Sequence, residues 1–351
     1  MNNIIILSPP DEYNFYSWQI MSIKESLLKL NLRYTIGLVE RTINNIISDI
    51  DMSTIDLILI LSCDHAYNNS IFGVPDKIEN INNIPMIYVS HTNFYLSNCP
   101  VINYSIWFTI PLQDPNLKIK DINENYQKKY IFSCLNHHIN NYRILNLIYL
   151  FKNNLELCTL LTFKSLNECS NIDFILNHIK VNHLDEYNYF YNNILNKLPI
   201  VNNDVVPYLN MISKTDVLFD YSNSAHTNCY VSIITESDEF SNYISEKTVK
   251  CLLAGQFFVI VSGQNVIKHL KELGFDTYDD IIDHSYDNES YLIDRLDKTY
   301  LELNRLQHLD WPTIYLETKH RRMYNRQKVL DMHIEKNFLD TLQEYIKLSL
   351  G

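Results

Sequence analysis

Residues 243–263 read YISEKTVKCLLAGQFFVIVSG, and this stretch decides the fold. Ser245 supplies an N-cap, the run from Glu246 to Ala254 puts Val249, Leu252 and Leu253 on one face, and Gly255 supplies a left-handed stop. Phe257 to Val261 then runs apolar without alternation, as a strand covered on both faces of a parallel sheet does, and Gly263 ends it. The pattern is helix, tight turn, buried strand.

Outward from this stretch the same alternation recurs. Asn3–Leu7, Tyr34–Val39, Ile55–Leu61 and Met86–Val89 read as strands, with helical spacing over Tyr16–Leu30. Strand alternating with helix predicts an α/β protein with parallel, doubly wound sheets. Ligands of such sheets bind beyond the carboxyl ends of the strands, which singles out the loops Ser8–Glu12, Cys63–Asn69 and His91–Asn98. Pro111, Asp114 and Pro115 open a charged, strand-poor linker up to Asn125. A second domain follows, with a strand at Tyr130–Leu135, a polar loop, and a helix from Tyr142 to about Asn153 that carries Arg143 in its first turn. Leu155 to Asp216 is less informative, with helices at Ile172–Ile179 and Glu186–Leu198. Strands resume at Val217–Phe219 and Tyr230–Ile234. A helix over Gln264–Leu273 and long amphipathic helices over Asn288–Gln307 and His320–Leu350 complete the chain. The 351 residues thus divide into a Rossmann-like domain at 1–120, a second one at 121–310, and C-terminal helices at 311–351 that pack back towards the first.

Composition narrows the function. With 29 basic against 41 acidic residues the net charge is −12, which opposes tight nonspecific binding to nucleic acid or anionic membrane. Seven cysteines, an odd number without a C-x-x-C pair, read as reduced thiols of an intracellular, cytoplasmic protein. No run of eighteen apolar residues is present, and Met1–Leu7 leads straight into a strand instead of a leader. The six glycines, at 37, 73, 255, 263, 274 and 351, form neither G-x-G-x-x-G nor a Walker A loop, so dinucleotide oxidoreductases and P-loop kinases are set aside. The abundance of Asn, Ile, Tyr and Lys points to an AT-rich, viral genome.

Chemistry enters at the start of the 246–254 helix. Glu246 and Lys247 sit there beside free N–H groups and the positive end of the helix dipole, a combination that suits a diphosphate. The alternative is a plain i, i+4 pair of Glu246 with Lys250 on a solvated face.

Upstream, residues 233–247 read IITESDEFSNYISEK. This run resembles the donor-site signature of α-1,3-fucosyltransferases, in which a strand ends in an FENS-like tetrapeptide and Tyr-x-x-Glu-Lys follows at fixed distance. Thr235, Glu236 and Ser237 take the first three places of the tetrapeptide, with Ser237 where the family has asparagine. Tyr243, Glu246 and Lys247 fall at the family's spacing. Ser133, Cys134, Asn136 and Arg143 resemble the family's strand, polar loop and diphosphate-binding arginine. Ser90, His91, Thr92 and Asn93 loosely resemble the segment that carries the family's catalytic glutamate, with Thr92 at the glutamate's place. His91, and Asp64 after the third strand, are the titratable candidates for a base. The family's animal members are Golgi membrane proteins, and this chain shows no such anchor.

The resemblance implies the GT-B type: two Rossmann-like domains with a cleft between them, the first holding the acceptor and the second the donor. It implies a glycosyltransferase that moves fucose, or another hexose, from a nucleotide-diphosphate sugar, GDP favoured, to a hydroxyl of a glycan. Arg143, Glu236, Ser237, Tyr243, Glu246 and Lys247 would bind the donor. No cofactor and no metal are expected, since Asp49-Ile50-Asp51 lies in a turn before a strand, whereas the metal-binding D-x-D follows one. Asp276, Asp279, Asp280 and Asp283 alternate with apolar residues and read as a solvated turn on a packed segment. Two other readings stay open, a phage-type transferase acting on DNA bases and an inactive nucleotide-sugar or glycan-binding protein.

Overall fold

A computed structural model describes residues 3–8, 33–38, 55–61, 84–90, 101–103, 127–136, 139–202, 204, 224–236, 242, 244–332 and 334–350. The chain divides into two compact units, one formed by 1–110 with 332–351 and the other by 111–331. Each contains a wholly parallel sheet.

In the first unit the strands are β1 (Asn3–Ser8), β2 (Arg33–Leu38), β3 (Leu57–Leu61), β4 (Met86–Ser90) and β5 (Val101–Asn103), in the order β2-β1-β3-β4-β5. Leu57, Ile58 and Leu59 are buried in succession, which is why this strand shows no alternation in sequence. The order reverses between β1 and β3, so the ends of those strands flank the topological switch point. Asp64 and His91, which follow β3 and β4, lie outside the described residues, as does the D-x-D at 49–51.

The second unit is built from β6 (Tyr130–Asn136), α1 (Asn141–Lys152), β7 (Thr159–Phe163), α2 (Ile172–Asn182), α3 (Leu184–Asn193), a single turn α4 (Ser224–Thr227), β8 (Cys229–Thr235), α5 (Glu246–Leu253), β9 (Phe257–Val261) and α6 (Val266–Glu272). Three more helices follow, α7 (Leu292–Leu306), α8 (Trp311–Glu317) and α9 (Lys319–Asp331). The sheet order is β7-β6-β8-β9, with its reversal between β6 and β8. Every residue of β7, β8 and β9 is buried, and aromatic rings close one end of the core: Trp311 lies 5.2 Å from Phe257 and 6.0 Å from Tyr230 between ring centroids.

Three elements differ from the sequence expectation. β7 fills a stretch that carried no strand signal, because its five residues, Thr-Leu-Leu-Thr-Phe, fit a buried helix turn as well as a buried strand. The single helix expected over His320–Leu350 is two, since α9 ends at Asp331 and α10 spans Ile334–Leu350. Asp331-Met332-His333 contains neither proline nor glycine, so nothing local announces the break. Of the 311–351 segment expected to pack back on the first domain, only 332–351 groups with the first unit, where α10 lies along β3 and β5 with Leu342 and Ile346 buried. α8 and α9 stay in the second unit, held by Arg322 across the Tyr315 ring and by its bond to the Gly255 oxygen at 3.0 Å.

Candidate functional site

The site forms where β6 and β8 diverge. β6 and β8 pair in a register that sets Ser133 opposite Ser232, so Asn136 and Thr235 meet at the carboxyl ends, and the Thr235 hydroxyl donates to Asn136 Oδ1 at 2.5 Å. α1 starts just beyond β6, with Asn140 as N-cap accepting from the Arg143 N–H at 3.0 Å. That cap fixes Arg143 in the first turn, aimed across the switch point. Its Nη2 donates to the Thr235 main-chain oxygen at 3.3 Å and reaches that of Glu236 at 3.5 Å. Arg143 is thus buried at the crossing instead of lying on a solvated helix face.

Glu236 directly follows β8 and continues the ladder through its N–H to the Val261 oxygen at 3.0 Å. Its carboxylate accepts from the Ser245 N–H at 3.0 Å, the Ser245 hydroxyl and the Thr248 hydroxyl at 2.6 Å. A capping box places an acidic or amide side chain at the third helical position, where this chain has Thr248; Glu236 performs that task from the end of the preceding strand. Local sequence reading finds the N-cap Ser245 but not its partner, because the signal sits nine residues upstream.

Burial around α5 bears on three expectations. The positive end of α5 is not open to an arriving anion along its whole edge, since a fully buried carboxylate already lies against it. Glu236 itself is enclosed, with its carboxylate engaged by Ser245 and Thr248. A third concerns Lys250, expected on a solvated face: it is buried, because α9 packs over α5. α9 also supplies Arg326 to the Leu253 oxygen at 2.9 Å, so α5 has a carboxylate at its amino end and a guanidinium at its carboxyl end.

Lys247 is the partly open cation of the site. Its Nζ lies 3.1 Å from Ser245 Oγ, 3.2 Å from Glu246 Oε1 and 3.9 Å from Glu236 Oε2, with 24% of its side chain exposed. Glu246 is partly buried, which by itself raises a carboxyl pKa; the charges of Lys247 and Lys250 outweigh this and hold it down at about 2. It is therefore an anion and acceptor at neutral pH. Ser237 and Tyr243 lie outside the described residues.

The next helix repeats the device. Asp287 accepts from the N–H groups of Ile267 and Lys268 at 3.1 Å and caps α6. The aspartate group at 276–283 is the expected solvated turn on a packed segment, with Asp279, Asp280 and Asp283 exposed and Phe275, Tyr278 and Ile282 buried; Arg321 also pairs with Asp276 and Asp280 at 2.6–2.8 Å, and Lys271 with Asp279 at 2.8 Å. Among the described residues no group of three or more His, Cys, Asp or Glu is arranged to hold a metal ion. No described helix is long and apolar enough to cross a membrane.

Neither a protein-family model nor a curated protein matches the chain. Among solved structures, an α1,3-fucosyltransferase crystal structure resembles it over 99% of this chain and 90% of that one, at 9% identity and a TM-score of 0.42. An α1,3-fucosyltransferase with GDP-fucose gives 10% identity and a TM-score of 0.33, over 92% and 91% of the two chains. The same enzyme name with GDP gives 9% identity and 0.34, over the same shares. These are partial likenesses of backbone, and the functional reading rests on the chain's own residues.

Proposed function

We infer that the protein is a fucosyltransferase-like glycosyltransferase of the GT-B type that uses a nucleotide-diphosphate sugar, with the donor diphosphate held at the carboxyl edge of the second sheet. The observation that carries this reading is the meeting of Arg143 and Lys247 around Glu236, at the strand-order reversal where parallel sheets bind ligands. In the reaction an acceptor hydroxyl attacks the anomeric carbon from the face opposite the diphosphate, and the bond from that carbon to the β-phosphate oxygen breaks. Negative charge grows on the departing phosphate, and Lys247 and Arg143 are the groups that stabilise it. Glu246, ionised at neutral pH, accepts from ribose hydroxyls. His91 or Asp64 takes the proton of the acceptor. GDP-fucose is the favoured donor, a glycan hydroxyl the favoured acceptor, and inversion without metal the favoured course.

A thermal-shift series with GDP, UDP, CDP and ADP in the presence of chelator tests the reading. One diphosphate, GDP first, raises Tm, because a ligand that binds only the native state stabilises it. Stabilisation that needs manganese or magnesium overturns the metal-free course. Stabilisation without hydrolysis or transfer over a broad acceptor panel moves the protein to the class of nucleotide-sugar binders.

A further inference from the structure

Glu236 is the most completely buried charged side chain among the described residues, at 0% exposure. A carboxylate offers about four acceptor directions. Here the Ser245 N–H, the Ser245 hydroxyl and the Thr248 hydroxyl take three, and the Lys247 ammonium approaches the remaining side at ion-pair distance. The main-chain oxygen of the same residue lies within reach of Arg143 Nη2. One residue therefore touches both cations of the inferred donor site from its enclosed side.

We propose that Glu236 is a positioning residue for the donor diphosphate: it anchors the Lys247 ammonium and the first turn of α5 to the end of β8. The proposal rests on the donor-site reading above and changes the part of Glu236 within it from ligand contact to anchor. A lysine head on a four-carbon stem samples many rotamers unless it is held. Acceptors on Ser245, Glu246 and Glu236 surround the Lys247 head; one of them is Glu236 itself, and another, the Ser245 hydroxyl, is held by it. A cation fixed before the phosphate arrives stabilises developing charge without reorganising at the moment of reaction.

The test uses the full chain as wild type, Glu236→Gln, Ser245→Ala and Asp287→Asn. Asp287→Asn is the control, since it weakens an equivalent buried carboxylate cap on the next helix. Acetylation of Lys247 by an N-hydroxysuccinimide ester is followed by peptide mass spectrometry with Lys180, exposed on α2 and away from both carboxylate caps, as reference, with and without GDP. Glu236→Gln is expected to raise the Lys247 to Lys180 labelling ratio about fivefold by loosening the head, and Ser245→Ala to raise it less. Asp287→Asn should leave the ratio unchanged while lowering Tm. With GDP-fucose as donor, Glu236→Gln should lose about tenfold or more in kcat with KM changed less than about threefold, the pattern of a contact that acts in the transition state.

Wild-type labelling of Lys247 in both Glu236→Gln and Ser245→Ala overturns the proposal, whatever the enzyme turns over. Equal loosening in Asp287→Asn also overturns it, because the effect is then general softening. Raised labelling in Glu236→Gln, combined with no protection of wild-type Lys247 by GDP and no turnover of GDP-fucose, supports the anchor and sinks the donor-site reading instead. Should Glu236→Gln not fold, Ser245→Ala decides alone, since it removes the hydroxyl that bridges Glu236 and Lys247.

Discussion

Nη2 of Arg143 donates to the main-chain oxygen of Thr235 at 3.3 Å, so the first helix of the second unit is tied to the end of a strand that follows it by ninety-two positions. A cation in that position works for the fold as well as for any ligand. Arg143→Ala leaves buried carbonyl oxygens without their donor and opens a void, and is expected to cost about 2 to 3 kcal/mol of stability. Urea unfolding checks this, and an unchanged midpoint rules out the structural share of its role.

Lys247→Ala should separate the two roles. It is partly exposed and borders the site, so its loss is expected to change folding stability by about 1 kcal/mol or less while removing about 2 to 4 kcal/mol of transition-state stabilisation. Lys268, exposed on α6, is the control. Wild-type turnover by Lys247→Ala, measured with GDP-fucose, places the donor site elsewhere.

Lys250→Ala tests the burial of that residue. On a solvated face it would be neutral within about 0.5 kcal/mol; beneath α9 it is expected to cost about 1 to 2 kcal/mol through lost packing of its stem. Thermal melts of the single variant decide between the two.

Glu246 gives the acid limb of stability a definite sign. Its pKa is about 2 in the folded chain against an ordinary 4.5, so its ionised form favours the native state. That contribution is fully present above pH about 4.5 and is lost as pH falls through about 2. Glu246→Gln should therefore flatten the fall of unfolding free energy between neutral pH and pH about 2, read from urea curves at each pH. A limb as steep as wild type removes Glu246 from the account.

Arg321 holds Asp276 and Asp280 through paired bonds of 2.6–2.8 Å and lies over the Tyr278 ring. Arg321→Gln is expected to cost about 1 to 2 kcal/mol, more than an isolated surface pair, because both carboxylates lose a fork at once. The same urea assay measures it, and a change within error reduces the network to surface decoration.

What the sequence revealed and what it withheld follow from range. Glu246 to Ala254 was legible as a helix because Ser245, the apolar spacing and Gly255 all lie within one short window, and the structure starts it at Glu246 and gives Gly255 a φ of 60°. Strand β6 and the helix of Arg143 were legible for the same reason. The partner of Ser245 was not, since Glu236 belongs to a different element and reads as a strand-end residue. The burial of Lys250 depends on α9, seventy residues later, and no period within α5 encodes it. β7 escaped because five residues, three of them apolar, are too few for either periodicity to show.

The distribution of the chain between its units has a temporal consequence. Strands β1 to β5 are synthesised first, yet α10, which lies along β3 and β5, is made last, after the whole of the second unit. On the ribosome the second unit has its complete sequence before the first has its closing helix, although chains commonly fold their amino-terminal domain first. Residues 111–331 are thus the piece to express alone, whereas 1–110 would emerge lacking the cover of Leu342 and Ile346 and with apolar strand surface exposed to aggregation.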